Sequence, residues 1–230
     1  ELKKRGIQGA FFPPSEPILK NKMIDVHMIQ HILAKCKNIE FLKNEIIKLC
    51  LEASISNTEI EKSKKKYYFQ GRFDDSTTSY IKRMLQFVIP HKIRTEIIKL
   101  LFKKYVGISQ KQFSKELYMS ISNMKKLIDD GMYIGSHGAQ HQWLNKISFN
   151  EQKRDIKSSL DFLKQLGVKE KNWVMCYPYG AYNKDTLTII KKYGAKIGIT
   201  TSPRIANLDK DNPLTLPRID TNDVNNKNFF

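Results

Sequence analysis

Long apolar runs are missing from this sequence. None approaches the roughly 20 residues that a helix needs to cross a bilayer, and the opening "ELKKRGIQGAFF" lacks the apolar core of a signal peptide. Cysteine is scarce. Cys36, Cys50 and Cys176 are widely spaced and form no C-x-x-C pair, which argues against a disulfide framework and for three reduced thiols. Acidic residues are in deficit, with 23 Asp and Glu against 40 Lys and Arg, a net charge of +17. That balance favours anionic partners: nucleic acid, an acidic glycan or an anionic membrane surface. It also fits a Lys-rich composition spread evenly over the surface, since lysines occur in nearly every segment. No specific nucleic-acid motif and no basic stripe interleaved with aromatics is present. Internal repeats and low-complexity segments are absent from the stretch at about 20–127 too.

What is present is a globular chain of 230 residues, 40% hydrophobic, enough for one domain with a sizeable core or one domain with an elaborate insertion. "ELKKRG" reads as the end of a helix entered partway, stopped by Gly6, so a further N-terminal piece is expected. "GIQGAFF" (6–12) reads as a buried strand ended by Pro13 and Pro14. From about 20 to 127 the text is helical. Leu42, Ile46, Leu49 and Ala53 recur at helical spacing, as do Ile93, Ile97 and Leu101. The lysine run at 62–66 reads as a solvated link. After Gly131 strands and helices alternate. "MYIGSH" (132–137), "NWVMCYPYG" (172–180) and "AKIGITTS" (195–202) suit strands. A helix between them opens on a Ser148/Glu151 capping box, carries Ile156, Leu160 and Leu163 on one face and stops at Gly167. Another runs from the N-cap Asn183 to Gly194, with Leu187 and Ile190 inward. This alternation predicts a parallel β/α architecture, a barrel or a doubly wound sheet. Chemistry in such folds sits at the C-terminal ends of strands, where His137 and "YPYG" fall.

His137 and His141 stand four apart in "YIGSHGAQHQWL". Neutral imidazole is a common zinc ligand, but a catalytic zinc takes three protein ligands, so the pair alone is compatible with a metal site or with two hydrogen-bonded loop residues. In "CYPYGAYN", the Tyr179 and Gly180 N–H groups could face an oxyanion. Tyr177, Tyr179 and Tyr182 offer flat faces suited to sugar rings; a rigid turn explains the same letters. Asp74 and Asp75 form a carboxylate pair, and Asp75 also suits a helix start. In "PRID", Arg218 could position a carboxylate and Asp220 accept a hydrogen bond. His27, His31 and His91 read as plain helix residues.

In this order, the pieces resemble the polysaccharide deacetylase family, also called the NodB-homology or carbohydrate esterase family 4 domain. "GIQGAFF" looks like its second strand, "GSHGAQH" like its His-Ser/Thr-x-x-His motif, "MCYPYGAYN" like its third motif, and "ITTSPRIANL…LPRID" like its late strand. The resemblance covers about residues 1–12 and 128–220, with the helical stretch as an insertion. It implies an α/β fold, a distorted (β/α) barrel of the NodB-homology type, as a single incomplete domain over 1–230. It also implies a divalent metal, most often zinc, with His137 and His141 as ligands. The Tyr179 N–H would face the oxyanion, and Tyr177, Pro178, Gly180 and Arg218 would bind or shape the substrate, an N-acetylated glycan.

Four departures qualify that expectation. The family's Asp-Asp motif, which supplies a base and a ligand, is not among these residues and is expected before Glu1. The late Leu-x-His motif is also missing before Phe230. Gly138 replaces the Ser/Thr that steadies the histidine loop, and Cys176 stands where many members carry an arginine. Asp74 and Asp75 match the first motif in letters but not in position. The expected activity is acetate release from a glycan, weak or absent in this stretch by itself. The alternatives are a non-catalytic glycan-binding relative and a nucleic-acid or anionic-surface binder. A lipid-linked glycan is a possible substrate, and a cytoplasmic or membrane-peripheral setting in bacterial cell-surface glycan synthesis is expected. The sequence does not define an oligomeric state.

Overall fold

The structure, a computed structural model, describes residues 1–224. In chain order it contains β1 (Ala10–Phe11), α1 (Ser15–Lys20), α2 (Asp25–Lys35), α3 (Ile39–Glu52), α4 (Asn57–Tyr67), α5 (Ser76–Arg83), α6 (His91–Val106), α7 (Gln110–Leu117), α8 (Ile121–Asp129), β2 (Tyr133–Ile134), α9 (Phe149–Gln165), β3 (Trp173–Cys176), α10 (Lys184–Lys192) and β4 (Ala195–Ile199). Two compact units divide it: Met23–Phe113, and Glu1–Lys22 together with the chain from Ser114 onward. None of the described helices is long and apolar enough to cross a membrane.

The Met23–Phe113 unit is helical because its apolar residues recur at helical spacing and its helix ends are capped. Leu42, Ile46 and Cys50 form one buried stripe of α3, and Asn38 caps that helix by accepting from the Phe41 N–H. A Ser56/Glu59 capping box opens α4, so the lysines at 62–66 belong to a helix and not to a link. Lys64, Lys65 and Lys66 lie in its last turn, where cations complement the helix dipole. Asp75 caps α5, and Gly107, at φ +76°, ends α6. Ile32, Leu42, Leu85, Ile98 and Leu101 are fully buried in this core.

The second unit holds the strands, and here the expected barrel is overturned. β1 pairs in parallel with β2, and β3 with β4, as two separate two-stranded sheets. Single bridges, Ser136–Met175 and Ile199–Leu216, flank the second pair. Among the described residues no sheet closes into a barrel. A barrel needs a neighbour on both edges of every strand and matched strand lengths. β1 has two residues and pairs with β2 alone. For the same reason "GIQGAFF" is not the buried strand its letters suggest: only Ala10–Phe11 is a strand, and Ile7 is half exposed.

α9 organises this unit. Its capping box of Ser148 and Glu151 forms as the sequence predicts. Ile156 packs with Trp173, Met175 and Ile190, while Phe162 and Leu163 pack with Met124 and Ile134. Between those apolar residues runs a buried polar stripe, Gln152, Asp155 and Ser159, at helical spacings of three and four. Each member has a partner. Gln152 accepts from the Thr186 hydroxyl on α10 at 2.6 Å, and Ser159 meets Ser136 at 2.9 Å. Asp155 serves the histidine loop. Of the cysteines, Cys36 is half-buried in the helical unit, Cys50 is buried there, and Cys176 is buried in the second unit; all three are free thiols.

Candidate functional site

The histidine loop leaves β2 through Gly135. A Cβ at that position would meet the Phe12 ring at 2.5 Å and the Val174 carbonyl at 2.8 Å, so only glycine fits there. Ser136 then pairs with β3: its N–H donates to Val174 O, and its carbonyl accepts from the Cys176 N–H. That pairing aims His137 across the end of β3, where its Nδ1 lies 2.6 Å from the Cys176 carbonyl. A nitrogen hydrogen-bonded to a carbonyl is the protonated one, which leaves Nε2 with the lone pair. Burial, reinforced by the Arg218 charge and opposed by the carbonyl bond, holds the His137 pKa below its ordinary value. His137 is therefore the neutral imidazole at pH 7.

The residues between the two histidines are held from two sides. Asp155 accepts from the Ala139 and Gln140 N–H groups, both at 2.9 Å. From the other side, the Ser15 and Glu16 N–H groups at the start of α1 donate to the Gly138 and Ala139 carbonyls. Gly138 sits at φ +70°, and a Cβ there would lie 2.5 Å from Asp155 Oδ2. Burial raises the Asp155 pKa and the two N–H bonds oppose that rise. The loop thus gains from a buried carboxylate the steadying that Gly138, lacking a hydroxyl, does not give.

His141 adopts φ +56°, as does Tyr179, a conformation that costs a non-glycine residue free energy and collects at functional sites. The two rings meet edge-on with centroids 4.7 Å apart. His137 and His141 are also 4.7 Å apart, at 68°. On its other side Tyr179 stacks on Trp143 at 4.7 Å and 12°. His137, His141, Tyr179 and Trp143 form one continuous ring ladder.

The "YPYG" loop follows β3 as a 3-10 turn over Pro178–Gly180. The Gly180 N–H donates to Tyr177 O at 2.9 Å, so of the two donors expected in this loop Gly180's is committed to the turn. Gly180 has φ +67°, and a Cβ would approach Thr201 Oγ1 to 2.2 Å. Tyr177 is buried and donates its hydroxyl to Leu214 O at 2.6 Å; burial pushes its pKa well up. Its ring packs on Tyr182 at 5.0 Å. Pro178 is buried. Arg218 Nε donates to Thr200 O at 3.0 Å, and the arginine's charge acts on both His137 and Cys176.

Other sequence candidates lie elsewhere. Asp74 pairs with Lys82 at 2.6 Å and Asp75 caps α5, both in the helical unit. His27 and His31 are on α2, and His91 opens α6. Asp220 accepts from the Asn222 N–H at 2.9 Å.

The expected zinc centre is corrected by the donors present. Among the described residues no group of three or more His, Cys, Asp or Glu could hold a metal, and a catalytic zinc takes three protein ligands. Two imidazoles converge, and the carboxylate that holds their loop, Asp155, gives its two oxygens to backbone amides. The set in hand is incomplete for the ion. Sequence reading missed Asp155 and Trp143. Asp155 had a signal: with Gln152 and Ser159 it makes a polar stripe on the inward side of an amphipathic helix. Trp143 had none beyond its place two residues after His141.

The family model for polysaccharide deacetylase matches residues 61–198. The Bacillus subtilis (strain 168) protein YxkH, named provisionally as a polysaccharide deacetylase, is 27% identical over 100 residues, which are 44% of this chain and 36% of that protein. The Streptococcus pyogenes deacetylase PplD, solved in complex with acetate, is 33% identical over 44% of each chain, with a TM-score of 0.41. BA0330 of Bacillus anthracis, with the same provisional description as YxkH, is 26% identical over 44% of this chain and 32% of that one, with a TM-score of 0.38. The chain thus spans less than half the length of these relatives. The family match covers more than half of this chain and takes in the histidine loop and the "YPYG" turn; the chain belongs to the polysaccharide deacetylase family.

Proposed function

We propose that this chain carries the histidine-loop part of an enzyme that deacetylates an N-acetylated glycan. In that reaction water adds to the acetamide carbonyl and the C–N bond breaks. Acetate leaves, and the sugar nitrogen takes the proton as an amine. The observation that carries the reading is the convergence of His137, His141 and the strained Tyr179 at the end of β3, within a chain that belongs to this family.

The roles follow from what each group can do. His137, neutral and aimed by the Cys176 carbonyl, and His141 are the two imidazole donors toward a divalent cation of the kind that polarises a carbonyl. The donor set is incomplete, so no step is derived through the ion. The Tyr179 N–H faces the developing oxyanion. Tyr177, Pro178 and Gly180 shape that turn from below. Arg218 supplies the positive charge at the position where Cys176 brings none. No described residue is assigned as base or acid, since Asp155 is engaged by two amides.

The test is acetate release from N-acetylglucosamine oligomers by the protein that carries this chain, compared with His137→Ala. The expected outcome is release by the parent and a fall of at least ~100-fold in the variant, the scale on which a lost electrostatic group is felt. Release that survives His137→Ala unchanged overturns the reading. So does oligomer binding without release that is indifferent to chelator, which would make the chain a glycan binder.

A further inference from the structure

We propose that the corner of the helical unit where α4 turns into α5 docks on an anionic lipid surface. The corner combines two features. Its cations are Lys62, Lys64, Lys65, Lys66 and Arg72, all exposed. Its apolar groups are Phe69 and Phe73, 54% and 64% exposed on the connecting loop, although phenylalanine is a residue that folding ordinarily buries. No basic stripe interleaved with aromatics stands out in the sequence, because the pattern becomes visible only once α4 and the loop are built as one corner.

The negative charges there are engaged or outnumbered. Asp74 pairs with Lys82 at 2.6 Å, and Asp75 accepts from the Thr78 N–H and hydroxyl. Glu59 is tied into the capping box, leaving Glu61 against five cations.

The loop is also built to present its rings. Arg83 donates to the Tyr67 and Phe69 carbonyls at 2.7 and 2.6 Å and lies 3.7 Å over the Phe69 ring. The Gly71 N–H donates to Asp74 O. Backbone groups satisfied within the loop do not resist transfer to a drier interface. Arg72 lies over Phe73 at 4.9 Å, and Lys66 over Tyr67 at 5.2 Å. Aromatic rings with adjacent cations are the side chains that sit at headgroup level, rings toward the acyl boundary and cations among lipid phosphates. A soluble polyanion without bases would reward the cations but give the Phe73 ring, which has no hydrogen-bonding group, nowhere apolar to go; a single-stranded nucleic acid could stack a base on it and is separated by the test. This surface is independent of the deacetylase reading.

The experiment is sedimentation of the full chain with phosphatidylcholine vesicles, with and without a third of phosphatidylglycerol, at low and at near-physiological salt. Binding to the anionic vesicles, weakened by salt, is expected. Replacing Lys64, Lys65 and Lys66 with Gln should weaken it on the order of a hundredfold, and Phe69→Ser with Phe73→Ser about tenfold. If the double variant fails to fold by circular dichroism, Phe73→Ser alone serves, since that ring is the more exposed. No binding to anionic vesicles at low salt overturns the proposal. Binding that ignores the Phe substitutions also overturns it, because the overall charge alone would then explain attraction. Phe-dependent binding to single-stranded DNA without vesicle binding points to a nucleic acid instead and likewise overturns it.

Discussion

Asp155 is the residue on which the histidine loop rests. Removing its carboxylate leaves two amide donors without their acceptor, and hydrogen bonds to charged groups contribute about 1.5–3 kcal/mol each. The burial that raises its pKa offsets part of that. Asp155→Ala should therefore cost about 2 kcal/mol of stability by urea denaturation, and should broaden the His137 and His141 ring signals in NMR. Gly138→Ser, which restores the family's letter, should destabilise as well, because φ is +70° and the new Cβ would crowd Asp155. In a double-mutant cycle the two substitutions should be non-additive by more than ~0.5 kcal/mol; strict additivity would show that they do not share a contact. The site was half legible in the sequence. Spacing found the histidines and the turn because both are local. It could not find Asp155, whose partners are fifteen and sixteen residues away, nor the spending of Tyr177's hydroxyl on Leu214, a contact made across 37 positions.

At the scale of elements, caps were the most readable signal. The capping box at Ser148 and the N-cap at Asn183 form where the sequence puts them, because a cap needs only its own turn. Ser148→Ala should cost ~1 kcal/mol, and Asp75→Ala about the same in the helical unit; a change below a few tenths at Ser148 would mean that tertiary packing alone fixes the start of α9. Strands were less readable. The letters of "GIQGAFF" suit a strand, yet pairing decides whether they become one, and β1 finds a single short partner. The lysine-rich text at 62–66 misled in the opposite direction. Polarity suggested a link, whereas the capping box at Ser56 commits the segment to a helix.

For the whole molecule, the pH response follows from half-buried histidines, one in each unit. Burial lowers the pKa of His27 and of His137 below 6.5. A group whose folded pKa lies under its unfolded value stabilises the fold above the unfolded value and loses that contribution as pH falls through the folded one. Acidification from neutral pH to well below 6.5 should therefore lower Tm. Asp25 and Asp155, raised by burial, pull the other way. His27→Gln isolates the histidine contribution: its Tm should fall less over the same interval, and an unchanged slope would remove His27 from the account. The barrel was the one large feature that the family resemblance misassigned; the alternation of strand and helix specifies parallel pairing, which both sheets show, but not closure.

The placement of the cysteines has a practical consequence. Cys50 lies fully buried in the helical unit with its thiol pushed up to about 11, and Cys176 lies buried in the other unit, while Cys36 is half-buried. The reactive thiolate is suppressed wherever the chain stays shut. Maleimide labelling should mark Cys36 first, and the later modification of Cys50 and Cys176 then clocks the breathing of each unit separately, with no cysteine engineered into the molecule.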